Sequence, residues 1–219
     1  MTLQGKTVNV LGDSITESTG ASCPENGYVA VFERTFGLKE ARNYGVSGSR
    51  IASQEKPYGP PRMERNFCTR AREMDENADA VVVFGGTNDF GHGDRPIGSF
   101  EDKTEDTFYG ACRVLMETLL ERYHGKPIVI MTPLHRSNEQ DPWGDHRREH
   151  PTLPLCGYVK IIKEVAEYYS LPVLDLWAVS GMQPAVPVIK EKYMPDGLHP
   201  SDAGHALIAN LLGNFLLGL

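Results

Sequence analysis

Residues 80–89 read Ala-Val-Val-Val-Phe-Gly-Gly-Thr-Asn-Asp, and the reading of this stretch decides the fold. Five apolar residues without polar alternation predict a strand covered on both faces, the habit of a parallel sheet with helices on each side. The run stops on two glycines and then on polar residues, so the chain turns at the strand's carboxyl end. Four more short β-rich runs lie outward from it, at residues 7–11, 41–44, 128–132 and 173–176. Between them, apolar residues recur at helical spacing. Examples are Ala111, Leu115 and Leu119, then Leu155, Tyr158 and Ile162, then Ile208, Leu211 and Phe215. Strands alternating with helices predict right-handed βαβ units and a mostly parallel sheet in a three-layer α/β domain. The rhythm persists along the chain, so one domain is expected over residues 1–219.

At 219 residues the chain is long enough for a full-sized core. Charged residues make up 23% and hydrophobic ones 40%, the mix of an ordinary globular protein. A formal net charge of -7, with the basic residues scattered among acids, argues against a nucleic-acid partner. No apolar run approaches the roughly 20 residues that span a bilayer, so no membrane partner is expected. The N-terminus lacks a basic segment followed by an apolar one of signal-peptide length, which predicts a cytoplasmic location. Cys23, Cys68, Cys112 and Cys156 are far apart and form no CxxC pair, which predicts reduced thiols rather than a disulfide framework or a zinc ribbon.

In an open parallel sheet, ligands sit at the carboxyl ends of the strands, so the residues that follow each strand test for a site. After the first strand comes Gly12-Asp13-Ser14. Ser14 there has two readings, a cap for the next helix or a nucleophile at a strand end. After the second comes Asn43-Tyr44-Gly45-Val46-Ser47-Gly48, and after the third Gly85-Gly86-Thr87-Asn88-Asp89. After the fifth, before the last helix, comes Asp196-Gly197-Leu198-His199-Pro200.

This set resembles the SGNH, or GDSL, hydrolase family, whose four sequence blocks carry a Ser, a Gly, an Asn and a His. Gly12-Asp13-Ser14-Ile15 matches the first block, with Ile where the family name has Leu. Gly45 is taken as the second-block glycine, Asn88 as the third-block asparagine, and Asp196-x-x-His199 as the last block. The resemblance covers residues 12–199 and implies a flavodoxin-like α/β/α fold with five parallel strands in the order 2-1-3-4-5. It also implies a serine esterase with Ser14, Asp196 and His199 as catalytic residues. The oxyanion hole would then be the Ser14 and Gly45 N–H groups with the Asn88 amide. No metal and no organic cofactor is implied.

The chemistry gives each residue a task. A serine hydroxyl needs a base at neutral pH, and His199 can take its proton and return one to a leaving alcohol. Asp196 can orient the imidazole, with Asp13 as a second acid near it. The fifth strand lies about 14 Å from the first in this order, so His199 must cross back, and the long stretch before it allows that.

Two polar, proline-rich insertions, 53–66 and 133–154, predict surface loops at one edge of the sheet. Neither offers the apolar patch of a lid for a long acyl chain. Tyr58 and Trp143 within them, together with Asp13, are candidate substrate-binding residues for a small-molecule ester of a polar alcohol such as an acetylated sugar. Lysophospholipid or thioester cleavage is the second expectation. A homo-oligomer packed through these loops, or a non-catalytic binding module of the same fold, is left open. His146-Arg147-Arg148-Glu149-His150 matches HxxEH, but the surrounding prolines and glycine argue against the helix a zinc site needs. No GxxxxGK[ST] or GxGxxG fingerprint follows the first strand.

Overall fold

Ala80–Phe84 forms β3, the middle strand of a five-stranded parallel sheet. The computed structural model describes residues 1–57, 59–146 and 148–219. The other strands are β1 (Thr7–Gly12), β2 (Glu40–Gly45), β4 (Ile128–Met131) and β5 (Val173–Leu174). Their spatial order is β2-β1-β3-β4-β5, as the resemblance implies. The helices are α1 (Tyr28–Phe36), α2 (Pro61–Glu64), α3 (Phe67–Ala71), α4 (Thr87–His92) and α5 (Phe108–Arg122). They continue with α6 (Leu155–Tyr168), α7 (Leu176–Val179), α8 (Pro187–Tyr193) and α9 (Asp202–Leu217).

The unbroken apolar run of β3 has a direct cause. Val81 and Val83 pack into one core with α3, α5 and α6, while Ala80, Val82 and Phe84 pack into a second with α1 and α9. Side chains alternate faces along a strand, so a strand with two cores needs apolar residues at every position. At the sheet's edge the opposite holds. The residues of β2 are exposed or half-buried, and Arg42 pairs there with Glu40 and Asp75. Charges on an edge strand discourage pairing with a second chain.

Two differences from the sequence reading matter for the site. The fifth strand stops at Leu174 because the Asp175 side chain accepts the Ala178 N–H and starts α7. The long segment after it also carries α8, which brings the chain back toward β1 before Asp196. Ser201 then opens α9: its Oγ accepts the Gly204 N–H and donates to Lys192 O at 2.7 Å. Among the described residues, no helix is long and apolar enough to cross a membrane.

Candidate active site

The β1 strand ends at Gly12, opposite Gly45 of β2 and Phe84 of β3. The chain then turns tightly. The Glu17 N–H donates to Asp13 O at 2.9 Å and the Thr19 N–H to Ser14 O at 2.9 Å. The cap of this turn is Asp13, whose Oδ1 accepts the Ile15 N–H at 3.0 Å. Ser14 is therefore not the capping residue, and its hydroxyl points elsewhere. Its Oγ lies 3.1 Å from His199 Nε2.

On the far side of the ring, His199 Nδ1 lies 2.7 Å from Asp196 Oδ2. An ionised carboxylate can only accept, so Nδ1 carries the hydrogen and Nε2 of the neutral ring faces the serine as an acceptor. Asp196 is itself fixed by the N–H groups of Leu198 and His199, which donate to Oδ1 at 2.8 and 2.7 Å. Partial burial pulls the Asp196 carboxyl upward, but the bonds from His199 and Leu198 outweigh it and hold the group below its usual range. The three-residue spacing read from the sequence thus closes into one line of groups, Asp196, His199 and Ser14.

Ser14 and His199 open onto a cleft of about 640 Å³. Asn88, at the start of α4, lines it, and its Nδ2 donates to Ser49 O at 3.0 Å. Insertion 53–66 supplies Gly59, Pro60 and Met63 to one wall. Asp145, His92 and Leu198 also line the cleft. Asp145 comes from insertion 133–154 and is ion-paired with the buried Arg136. The His92 Nε2 lies 3.1 Å from Gly48 O. Burial, helped by the charge of Arg50, pulls His92 down to about 4, so the ring is neutral near pH 7.

Three expectations need correction. The Gly45 N–H is taken by Asn43 Oδ1 at 2.8 Å, and the space beside its Cα is filled by Glu17 N, 2.3 Å from where a Cβ would stand. Gly45 is the last rung of the sheet and does not line the cleft. Gly48 does, in the left-handed region with φ +75°, and its N–H donates to no group among the described residues. Asp13 is buried under the turn, and burial pushes its carboxyl up to about 7; it faces a small inner cavity, not the cleft. Trp143 stands 44% exposed away from the cleft, so its insertion reaches the site through Asp145 instead. Tyr58, the remaining candidate, lies outside the described residues. Residues 146 and 148–150 form no helix, and His146 Nε2 lies 3.3 Å from Asp141.

Gly48 has a signal in the sequence, and Asp145 has none. Ser14 stands two residues past the end of β1, so the residue level with it should stand two or three past the end of β2, at Ser47 or Gly48. No comparable rule pointed to Asp145, because its approach depends on an ion pair with a residue nine positions earlier.

Comparison with known proteins fits this geometry. A GDSL lipase of Mycobacterium tuberculosis is 26% identical over 213 residues, covering 93% of this chain and 78% of that protein. A crystal structure of a Lactobacillus plantarum protein is 30% identical with a TM-score of 0.83, covering 98% of each chain. A carbohydrate acetylesterase family member from Sinorhizobium meliloti shares the fold at 19% identity, with a TM-score of 0.64 over 98% of this chain and 100% of that one. The model of the GDSL-like lipase/acylhydrolase family matches residues 10–207, which include Ser14, Gly48, Asn88, Asp196 and His199; the chain belongs to that family and is a carboxylic ester hydrolase.

Proposed function

We propose that this hydrolase cleaves esters joining a short acyl group, acetyl or close to it, to a polar alcohol such as a saccharide hydroxyl, through an acyl-Ser14 intermediate. One observation carries the mechanism: the unbroken line Ser14 Oγ–His199–Asp196, with contacts of 3.1 and 2.7 Å, at the mouth of the cleft. His199 Nε2 takes the proton as Ser14 Oγ attacks the carbonyl carbon, and Asp196 stabilises the imidazolium. The carbonyl oxygen becomes an oxyanion facing the Ser14 and Gly48 N–H groups and the second N–H of the Asn88 amide. The imidazolium then protonates the departing alkoxide. Water, activated by the same nitrogen, attacks the acyl-enzyme and releases the acid and Ser14. Every proton in this sequence is moved by residues of this chain.

The walls of the cleft support the choice of substrate. Met63 lies against Gly48: a Cβ there would meet the Met63 methyl carbon at 2.1 Å. In this reading the acyl group lies against Met63 beside Gly48, where the side chain limits its length. The cleft lining also offers the Asp145 carboxylate, a group that accepts hydrogen bonds from hydroxyls. The Sinorhizobium meliloti neighbour shows that this fold is used by a carbohydrate acetylesterase family member, and the polar lining supports a similar use here.

The test is a series of p-nitrophenyl esters of increasing chain length, together with acetate release from acetylated saccharides. We expect the highest kcat/KM at two to four carbons, release of acetate, labelling of Ser14 by a phosphonate probe, and no activity in Ser14→Ala. A preference for chains of eight or more carbons without acetate release would overturn the substrate reading. Full activity in Ser14→Ala, or loss of activity to a chelator, would overturn the mechanism.

A further inference from the structure

Away from the cleft lining, one buried guanidinium bonds the ends of β1 and β2 and the Ser49 hydroxyl, beside the segments that carry or hold the proposed oxyanion donors. Arg70 lies on α3 and is only 7% exposed, with its guanidinium 4.7 Å from the centre of the Phe67 ring. Nε donates to Arg65 O at 3.1 Å and Nη1 to Tyr44 O at 2.5 Å. Nη2 donates to Gly12 O at 3.1 Å and to Ser49 Oγ at 2.7 Å. Gly12 and Tyr44 lie at the ends of β1 and β2. One side chain therefore ties together the ends of two neighbouring strands and the loop that follows the second.

The contacts with Gly12, Tyr44 and Ser49 lead to the oxyanion donors. Gly12 stands two residues before Ser14. The Ser49 hydroxyl, held by Arg70, donates in turn to Val46 O at 2.7 Å, closing the loop 46–49 around Gly48. Ser49 O accepts the Asn88 amide at 3.0 Å, so the same residue holds the third donor. We propose that Arg70 is a positioning residue of the reaction, setting the relative placement of the Ser14 N–H, the Gly48 N–H and the Asn88 amide. The inference rests on the oxyanion assignment given above.

The residue type suits the task. A planar fork of donors can meet carbonyls of two strands and a hydroxyl at once, whereas a lysine is a point charge with no fixed directions. Its bonding partners are carbonyls and a hydroxyl, which makes burying the charge expensive. Burial lowers the guanidinium to about 10, with Asp13 pulling the other way, so it stays charged at neutral pH. An apolar residue would fill the space under the loop at less cost but would leave Gly12 O, Tyr44 O and Ser49 Oγ without this common anchor. Oxyanion donors act through preorganisation, and displacements of less than an ångström reduce their effect.

The test compares Arg70→Lys and Ser49→Ala with Asn88→Ala in the full chain. The measurements are kcat and KM for p-nitrophenyl acetate, the thermal midpoint, and inhibition by a trifluoromethyl ketone, whose serine adduct places an oxyanion among the donors. Arg70→Lys should lower kcat by about 10- to 100-fold with KM changed by less than about twofold, and should weaken ketone inhibition in parallel. Ser49→Ala should show the same split at about tenfold, and it decides the question alone if Arg70→Lys does not fold. An unchanged kcat in Asn88→Ala would refute the oxyanion assignment itself. A large kcat loss in Asn88→Ala beside folded Arg70→Lys and Ser49→Ala proteins that keep their kcat, or lose only KM, would overturn the role of Arg70.

Discussion

Gly45 and Gly48 lie three residues apart and should answer an alanine substitution in different ways. At Gly45 the new methyl would stand 2.3 Å from the Glu17 backbone nitrogen, which cannot swing aside. Gly45→Ala should therefore lower stability by about 1–3 kcal/mol, read by urea unfolding. At Gly48 the methyl meets the flexible end of Met63, which can move, but it stands beside an oxyanion donor at φ +75°. Gly48→Ala should cost mainly kcat, at a smaller loss of stability; a kcat loss larger at Gly45 than at Gly48 would contradict the assignment. Asn88→Ala should lower kcat by about 100- to 1,000-fold with little change in KM. The sequence made Ser14, Asn88, Asp196 and His199 legible because each follows a strand of clear pattern or sits at a fixed short spacing. It left two glycines in Asn43-Tyr44-Gly45-Val46-Ser47-Gly48, and only the register Gly12↔Gly45 shows which one ends the strand.

At the scale of elements, the arm 53–66 supplies Gly59, Pro60 and Met63 to the cleft, the side proposed to take the acyl group. Two ion pairs fasten the arm to the body beside the cleft: Arg50 pairs with Glu64 at 2.7 Å, and Arg62 pairs with Glu17 at 2.6 Å. Glu17 also accepts the Ser47 N–H at 2.7 Å, so the Arg62 pair ties the arm to the loop that holds Gly48. Partial burial pushes the Glu17 carboxyl upward, yet the bonds from Arg62 and Ser47 keep it below its usual range. Shortening Met63 should open the proposed acyl side while leaving the backbone that carries the donors in place. Met63→Ala is expected to raise the ratio of hexanoate to acetate kcat/KM by about tenfold, the worth of a few methylenes in an apolar contact. An unchanged ratio would place the acyl group elsewhere in the cleft. The short helices α2 and α3 were hidden in the sequence because prolines and charges dominate the arm. Nothing local in the sequence announces that Arg50, Arg62 and Arg70 find partners away from their own neighbours. By contrast, β3, α5, α6 and α9 were legible because their apolar faces repeat at the period of the element they form.

Over the whole molecule, the catalytic edge is built over buried ionisable groups whose effects on folding oppose one another. Burial raises Asp13 to about 7, and burial also raises Asp89, whose oxygens accept the Ile51 and Ala52 N–H groups at 2.9 Å. Burial lowers His92 to about 4 and also lowers His205. Between the ordinary carboxylate range and pH 7, folded Asp13 keeps a proton that the unfolded chain has lost, so its contribution to stability falls as pH rises through that window. His92 has the opposite sign. Between about 4 and its ordinary 6.5 the unfolded chain binds a proton that the folded ring refuses, so its contribution falls as pH drops. Each group alone would tilt stability by as much as about 1.4 kcal/mol per pH unit, and together the two slopes largely cancel. Asp13→Asn keeps an acceptor for the Ile15 N–H but removes the titration. Its stability relative to the parent should therefore climb as pH rises from about 4.5 to about 7. His92→Gln should gain relative to the parent in the reverse direction, as pH falls from about 6.5 to about 4.5. Urea unfolding of the three proteins across that range gives both differences directly. If either remains constant with pH, the corresponding group does not titrate differently in the folded and unfolded chains, and the balance of charge beneath the site is not the one described.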